Sequence, residues 1–452
     1  MHPLNKGNSI MKKRSFPLVQ SWGSLALVHS NLERVDVAKD NVVVEITAAT
    51  ICEADRRFVS GSKRVEGNSP CTTLGHEAVG KIIAVGSNVK HLKMGQMVVI
   101  MPHQVPETER KKIAFSKGEI FKLHTHHCGM HCDGTIANHI EWPAEWVRPI
   151  PKTAMRNAMK ASLVHGLHWT LPLAEIEHLA CVMTSLTQFE VADRVWAGNA
   201  NVNRLKSGKA RVLMIGAGWM GFLYMMHLHA KYPKATVAIK DPDEQRVRMV
   251  GDLSESVLGH RPEIAYSLDP SAERSFDVVI MATAARAAAM DLFRYLKPGG
   301  HVVLFSGIHN GAIELVFDPA KLSDLERVHR DGIHAMVYRT PEADRHDMVV
   351  ASGTSGYTVR AFEAATRGIG EYAAGIGTGI TGVVLGMESK EMIAVRRSAT
   401  PLVSADGQPI LKTLFEPNWP GRQNHLKIGI HPNPTSEIRS SYEEFIGQGA
   451  RS

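Results

Sequence analysis

Short apolar runs separated by glycine dominate the first third of the chain. Val42-Val43-Val44-Glu45-Ile46, Lys81-Ile82-Ile83-Ala84-Val85 and Met97-Val98-Val99-Ile100-Met101 read as strands, with Gly61, Gly75, Gly80, Gly86 and Gly95 as punctuation. Many short strands between glycine turns predict an antiparallel or barrel-like β domain over residues 15–150. Near residue 210 the rhythm changes. Arg211–Ile215 reads as a buried strand, followed by a glycine turn and a helical stretch through Lys231. Thr236–Ile239, Asp277–Met281 and His301–Phe305 repeat the pattern with helical segments between them, as in a doubly wound parallel sheet.

Connections follow from polar and glycine-rich segments. Asn199–Asn203 and Ser207-Gly208 read as a surface loop leading into the second domain. Later, Met348–Ala351 precedes Gly353-Thr354-Ser355-Gly356-Tyr357, Ala361–Ile369 reads as a helix, and glycine-rich Gly375–Gly379 comes after it. Roughly the last twenty residues, polar with Pro and Gly, read as loosely held.

At 452 residues the chain can build two cores. Its 44% hydrophobic and 21% charged residues are ordinary for a soluble globular protein. No apolar run approaches the roughly 18 residues that span a bilayer, so no membrane role is expected. Lys12, Lys13 and Arg14 precede no uninterrupted apolar core, which argues against a signal peptide. Cys52, Cys71, Cys128, Cys132 and Cys181 are too scattered for a disulfide scaffold and fit a reducing compartment, most simply the cytoplasm. The net charge of +7 is spread out, with only short clusters such as Arg110-Lys111-Lys112. No nucleic-acid-binding signature accompanies it, and a basic enzyme with anionic ligands is the better reading.

Two constellations carry chemistry. Gly216-Ala217-Gly218-Trp219-Met220-Gly221 lies between a strand and a helix, and Asp241 ends the next strand. Gly216 permits the tight turn, Gly218 lets backbone approach a pyrophosphate, and Gly221 allows close helix–strand contact. The helix N-terminus offers N–H groups to the phosphates. An acid at 241 takes a ribose hydroxyl and repels a 2′-phosphate, favouring NAD, while Lys240 and Arg246 leave NADP as the lesser choice.

The second constellation is Cys52 with Leu74-Gly75-His76-Glu77-Ala78-Val79-Gly80. A thiolate and an imidazole suit zinc, and a catalytic zinc takes three protein ligands with one position open. Glu177, in Ile176-Glu177-His178-Leu179-Ala180-Cys181, is the candidate third ligand. Glu77 is a ligand or the support behind one, and His178 and Cys181 are the fallbacks. Metal and nicotinamide in one chain imply hydride transfer on an alcohol or carbonyl.

These motifs together resemble the zinc-containing medium-chain alcohol dehydrogenases. Thr47–Asp55 looks like that family's first zinc-ligand loop, Leu74–Gly86 like its second, Asp133–Asn138 like its aspartate–glycine strand, and Lys297–Val303 like the end of its nucleotide domain. The resemblance implies a GroES-like catalytic domain over 1–185, a Rossmann domain over 186–325, and a return over 326–452 to the catalytic domain. It also implies one catalytic zinc, a homodimer or homotetramer, and a small alcohol or sugar substrate. The Glu177 segment and Gly353–Tyr357 are most similar to the sorbitol and sorbose-1-phosphate dehydrogenases or reductases.

Departures from the family pattern matter. Ala54 stands where a Ser or Thr commonly relays the proton, so Asp55, a histidine from elsewhere or a water chain must replace it. His178 replaces the usual proline. The four-cysteine lobe gives way to His124-Thr125-His126-His127-Cys128-Gly129-Met130-His131-Cys132, which reads as a solvated polar loop before it reads as a second metal site. Arg56, Arg57, Lys63 and Arg64 follow Cys52 as a basic surface loop or as a receptor for an anionic substrate. Two other readings are a zinc-independent NADPH quinone or enoyl reductase of the same superfamily, and a non-catalytic NAD(H)-binding relative.

Overall fold

The computed structural model describes residues 12–21, 24–32, 37–61, 72–104, 126–260, 262–264, 273–285, 288, 292–306, 328, 334–339, 347–354, 356–394, 402–404, 406–416, 419, 422–440 and 442. Lys63, Arg64, Cys71, Arg110–Lys112, His124, Thr125 and Ser355 lie outside them. The described chain forms two compact units, one from 1–106, 125–176 and 366–452, the other from 177–365.

The first unit is built on a nine-stranded sheet. Its order is Val147–Pro149, Met97–Ile100, Ala78–Val85, Asn41–Thr50, Lys427–His431, Ile380–Leu385, Glu391–Ala394 and Leu402–Val403, with His139–Pro143 also paired to Asn41–Thr50. All three strands read from the early apolar runs are present, and their pairings are antiparallel. One parallel pair, Ile380–Leu385 with Lys427–His431, brings the C-terminal segment into this sheet. Lys427–His431 then pairs with Asn41–Thr50 through Gly429–Thr50 and Ile430–Ala49. Val42, Val44, Ile46, Val79, Val98, Ile428 and Ile430 are buried and supply its core. Each such side chain contributes about 1.5–3 kcal/mol through burial.

The second unit carries the expected parallel sheet. Its order is Glu263–Ile264, Thr236–Lys240, Arg211–Ile215, Phe276–Met281, Leu296–Leu304, Asp347–Gly353 and His334–Arg339, and only the last strand runs antiparallel to its neighbour. Phe276–Met281 is buried at every position. Continuous burial is what a central strand covered on both faces requires.

Three connections differ from expectation. The polar Asn199–Gly208 stretch is a helix, Ala200–Ser207, not a loop. Buried Asn201 donates to Asp193 Oδ1 at 2.8 Å, and Gly208 closes the helix with φ of 77°. At Asn201 polarity serves an internal hydrogen bond, while Asn203, Arg204, Lys206 and Ser207 form the exposed face of the helix. The helix read at Ala361–Ile369 extends over Val359–Gly379 and takes in the glycine-rich segment. A Cβ at Gly377 would stand 2.3 Å from the His165 ring, so the small residue serves helix–helix contact. The C-terminal segment is pinned as far as Tyr442, which is fully buried. Its hydroxyl accepts from the His168 backbone N–H at 3.2 Å and lies 3.2 Å from His431 Nε2.

Candidate functional site

In the first unit, Cys52 immediately precedes the short helix Glu53–Val59. Asp55 folds back so that its Oδ2 accepts from the Cys52 N–H at 3.1 Å, which fixes the backbone that carries the thiol. The other oxygen of Asp55 accepts from the Gly75 N–H at 3.2 Å and lies 3.2 Å from His76 Nδ1. One fully buried carboxylate thus joins the two loops and orients the imidazole. Gly75 has φ of +98°, and a Cβ there would stand 2.5 Å from the Ile136 side chain. Only glycine fits both the left-handed backbone and the space.

Donor atoms of Cys52 and Glu77 lie within 4.8 Å of each other, as do those of His76 and Glu77. Glu77 is held from behind: its Oε2 accepts from Thr50 Oγ1 at 2.6 Å and from Lys427 Nζ at 2.7 Å. Lys427 also lies 3.5 Å from Glu175 Oε1. Burial disfavours the ammonium, but Glu175, Glu77 and Cys52 outweigh it and raise its pKa. Burial likewise opposes a charged His76, and Asp55 with Cys52 reverses the balance, raising its pKa well above the ordinary value.

This composition fits a divalent metal. A thiol, an imidazole and carboxylates converge in a buried place where anionic donors draw positive charge onto His76. That donor set matches zinc by ligand type, and the Asp55–His76 pairing matches the carboxylate that usually orients a metal-ligating histidine.

Sequence reading missed Lys427, Glu175 and Thr50. A visible signal for Lys427 was a lysine interrupting the apolar strand Lys427-Ile428-Gly429-Ile430, every residue of which is buried.

In the second unit, Glu177 and His178 occupy the start of the helix Ile176–Ala197 and are buried. Glu177 Oε1 accepts from the Cys181 thiol at 3.2 Å. Gly216 follows the strand Arg211–Ile215 with φ of +115°, and the helix Trp219–Lys231 begins after Gly218. A Cβ at Gly221 would stand 2.1 Å from the Gly216 carbonyl, so this helix can pack against the turn only with glycine there. Trp219 is buried and Met220 half-buried. Asp241 Oδ2 accepts from the Ala217 N–H at 2.8 Å and Oδ1 from the Asp243 N–H at 3.0 Å, so the acid also shapes the turn. Lys240 donates to the Tyr295 hydroxyl at 2.7 Å, and Arg246 lies 3.7 Å from Asp243.

The histidine–cysteine segment is partly buried, not a solvated loop. Cys128 is fully buried and its thiol donates to the Asp133 carbonyl at 3.3 Å. The His127 ring lies 5.0 Å from that of His76 and 4.3 Å from that of His103. Burial pushes both thiols up, Cys132 to about 12.

Residues 38–152 match the family model of the alcohol dehydrogenase GroES-like domain. The first unit carries that domain. Over 314 residues the chain is 24% identical to D-arabinitol dehydrogenase 1 of Uromyces fabae, covering 67% of this chain and 78% of that protein. Among solved structures, L-idonate 5-dehydrogenase of Escherichia coli is similar with a TM-score of 0.64 and 15% identity, over 94% of this chain and 100% of that one. Haloferax mediterranei glucose dehydrogenase, solved with NADP, zinc and gluconolactone, is similar with a TM-score of 0.61 and 16% identity, over 92% and 99%. The fold is therefore a GroES-like domain joined to a Rossmann-type parallel sheet, as in medium-chain dehydrogenases. No helix among the described residues is long and apolar enough to cross a membrane.

Proposed function

We propose that this protein is a zinc-dependent oxidoreductase that moves a hydride between NAD(H) and a secondary alcohol or ketone. The substrate is a polyol, sugar or sugar phosphate of the kind used by sorbitol and sorbose-1-phosphate dehydrogenases. The observation that carries this reading is the half-buried Cys52 with the buried Asp55, His76 and Glu77 within a GroES-like domain. The names of the relatives, which include arabinitol and glucose dehydrogenases, point the same way.

Cys52 and His76 hold the metal, and we assign Glu177 as the third ligand. Glu177 follows Glu175 by two residues, and Glu175 is the acid that meets Lys427. A bound zinc supplies Lewis acidity toward the substrate oxygen, and a bound nicotinamide accepts or donates the hydride. The protein's part is orientation and charge. Asp55 holds the imidazole in line, while Thr50 and Lys427 hold Glu77 still. Asp55 is engaged by two backbone N–H groups, so we give it a positioning role. His127, edge-on to His76, is our choice to take the proton that a hydroxyl at position 54 would have relayed. Gly216, Gly218, Trp219, Met220 and Gly221 cradle the pyrophosphate. Asp241 favours NAD over NADP, and Arg246 borders the same ribose.

Metal analysis of the purified chain, joined to an NAD- and NADP-linked screen of polyols, sugars and their phosphates, tests the reading. The expected result is near one zinc per chain and turnover lost with the metal in Cys52→Ala. Full turnover in metal-free protein overturns it, and quinone or enoyl reduction in a chelator would replace it.

A further inference from the structure

The helix that follows Cys52 carries two arginines, and the first unit brings a third to the same place. Arg56 Nε donates to the Leu414 carbonyl at 2.9 Å and its Nη1 donates to Glu53 Oε2 at 3.4 Å. Arg422 donates to that same Glu53 oxygen at 2.7 Å. The Arg56 guanidinium lies 6.0 Å from the centre of the Trp419 ring. Trp419 is 3% exposed, yet its indole N–H has no hydrogen-bond acceptor among the described residues. A buried donor without an acceptor is rare and asks for a ligand or water to complete it. Burial opposes the charge on Arg56, Glu53 favours it, and Arg422 opposes it again. Arg57, on the next position of the helix, is half-buried.

We propose that Arg56, Arg422 and the Trp419 N–H form a subsite for an oxyanion, the phosphate or carboxylate of the substrate. Two guanidiniums meet on one Glu53 oxygen, and the first of them lies beside the ring that carries the donor, a gathering of N–H groups and positive charge that suits phosphate and carboxylate. Arg56 is four residues past Cys52, about 6 Å along a helix axis. An anion held there can therefore belong to the same extended molecule as a carbon reacting at Cys52. A phosphorylated or carboxylated sugar alcohol has that spacing, and a simple alcohol has no group for the subsite. Naming the anion as the substrate's rests on the dehydrogenase reading above; the existence of the subsite does not.

Two measurements on the full chain test this. In the first, inorganic phosphate is compared with chloride at matched ionic strength by thermal unfolding. Wild type and Cys52→Ala are expected to gain melting temperature with phosphate, while Arg422→Gln loses the gain. Arg422 is 30% exposed, so its replacement tests the subsite with little burden on folding. Trp419→Phe, which keeps a ring and deletes the N–H, is expected to lose part of the gain. In the second, kcat/KM is compared for sorbitol and sorbitol 6-phosphate. The expected preference for the phosphate ester falls about tenfold or more in Arg422→Gln, the scale of one charged hydrogen bond.

No phosphate effect in wild type, or an equal one in Arg422→Gln, overturns the subsite. So does weakened NADP binding in Arg422→Gln with an unchanged substrate preference, which would make the anion the cofactor's. A phosphate effect lost in Arg422→Gln, without turnover of any alcohol, keeps the subsite and refutes the dehydrogenase reading instead.

Discussion

Around Cys52 and His76 the protein gathers buried charges, whereas around Gly216 it removes side chains altogether. The first centre depends on compensation: Asp55 against His76, and Lys427 against Glu77 and Glu175. The second depends on backbone: a left-handed Gly216, a Gly221 pressed on its carbonyl, and N–H groups ordered by Asp241. A centre made of compensated charges should fail electrostatically when one partner is removed. A centre made of backbone should fail sterically, and only where space is absent.

The largest expected effect lies on the charged side. Lys427→Met leaves Glu77 and Glu175 buried without their cation, and breaking such a pair costs about 3–5 kcal/mol. Urea unfolding should show this loss, and adding Glu77→Gln should recover part of it. A cost under about 1 kcal/mol would mean that the cluster is solvated, as exposed pairs are.

Next comes pH. Burial holds His431 neutral and pushes its pKa down to about 3. Between that value and the ordinary 6.5, the unfolded chain binds a proton that the folded chain refuses. Stability from this group is therefore full above about 6.5 and falls as pH drops toward 3, by at most about 1.4 kcal/mol per pH unit. His431→Gln should flatten that slope in unfolding measured between pH 4 and 7. An unchanged slope would assign the acid sensitivity to other groups.

On the backbone side, two glycines separate space from function. Gly221→Ala drives a Cβ into the Gly216 carbonyl and should cost about 1–3 kcal/mol. At Gly218 a Cβ meets nothing within 4 Å and φ is −95°, so Gly218→Ala should change stability by no more than about 0.5 kcal/mol. Its cost should appear instead as weaker NAD binding, measured by fluorescence or calorimetry. Equal melting shifts for the two variants would break the distinction. A modest effect is also expected at the C-terminal anchor, where Tyr442→Phe deletes the hydroxyl between His168 and His431 for about 1 kcal/mol in urea unfolding.

The same contrast explains what was legible in the sequence. The glycine turn is a local object: strand, turn, helix and acid all lie between Arg211 and Asp241, and each was read in place. Cys52 and His76 were visible by residue type, but the groups that restrain them were not. Glu77 and Lys427 are 350 residues apart and meet only because Lys427–His431 joins the sheet beside Asn41–Thr50. Polar composition misled at Asn199–Gly208, where buried Asn201 satisfies Asp193 rather than solvent. Glycine misled at Gly375–Gly379, where a missing side chain makes room for a neighbouring helix instead of ending one.

Cobalt substitution tests the central claim most directly, because a cobalt-bound thiolate gives a charge-transfer absorption that oxygen and nitrogen ligands do not. The cobalt-loaded protein should show that band, and Cys52→Ser should abolish it while His76→Ala weakens cobalt binding. A cobalt spectrum without the thiolate band, or one unchanged in Cys52→Ser, would contradict the assignment.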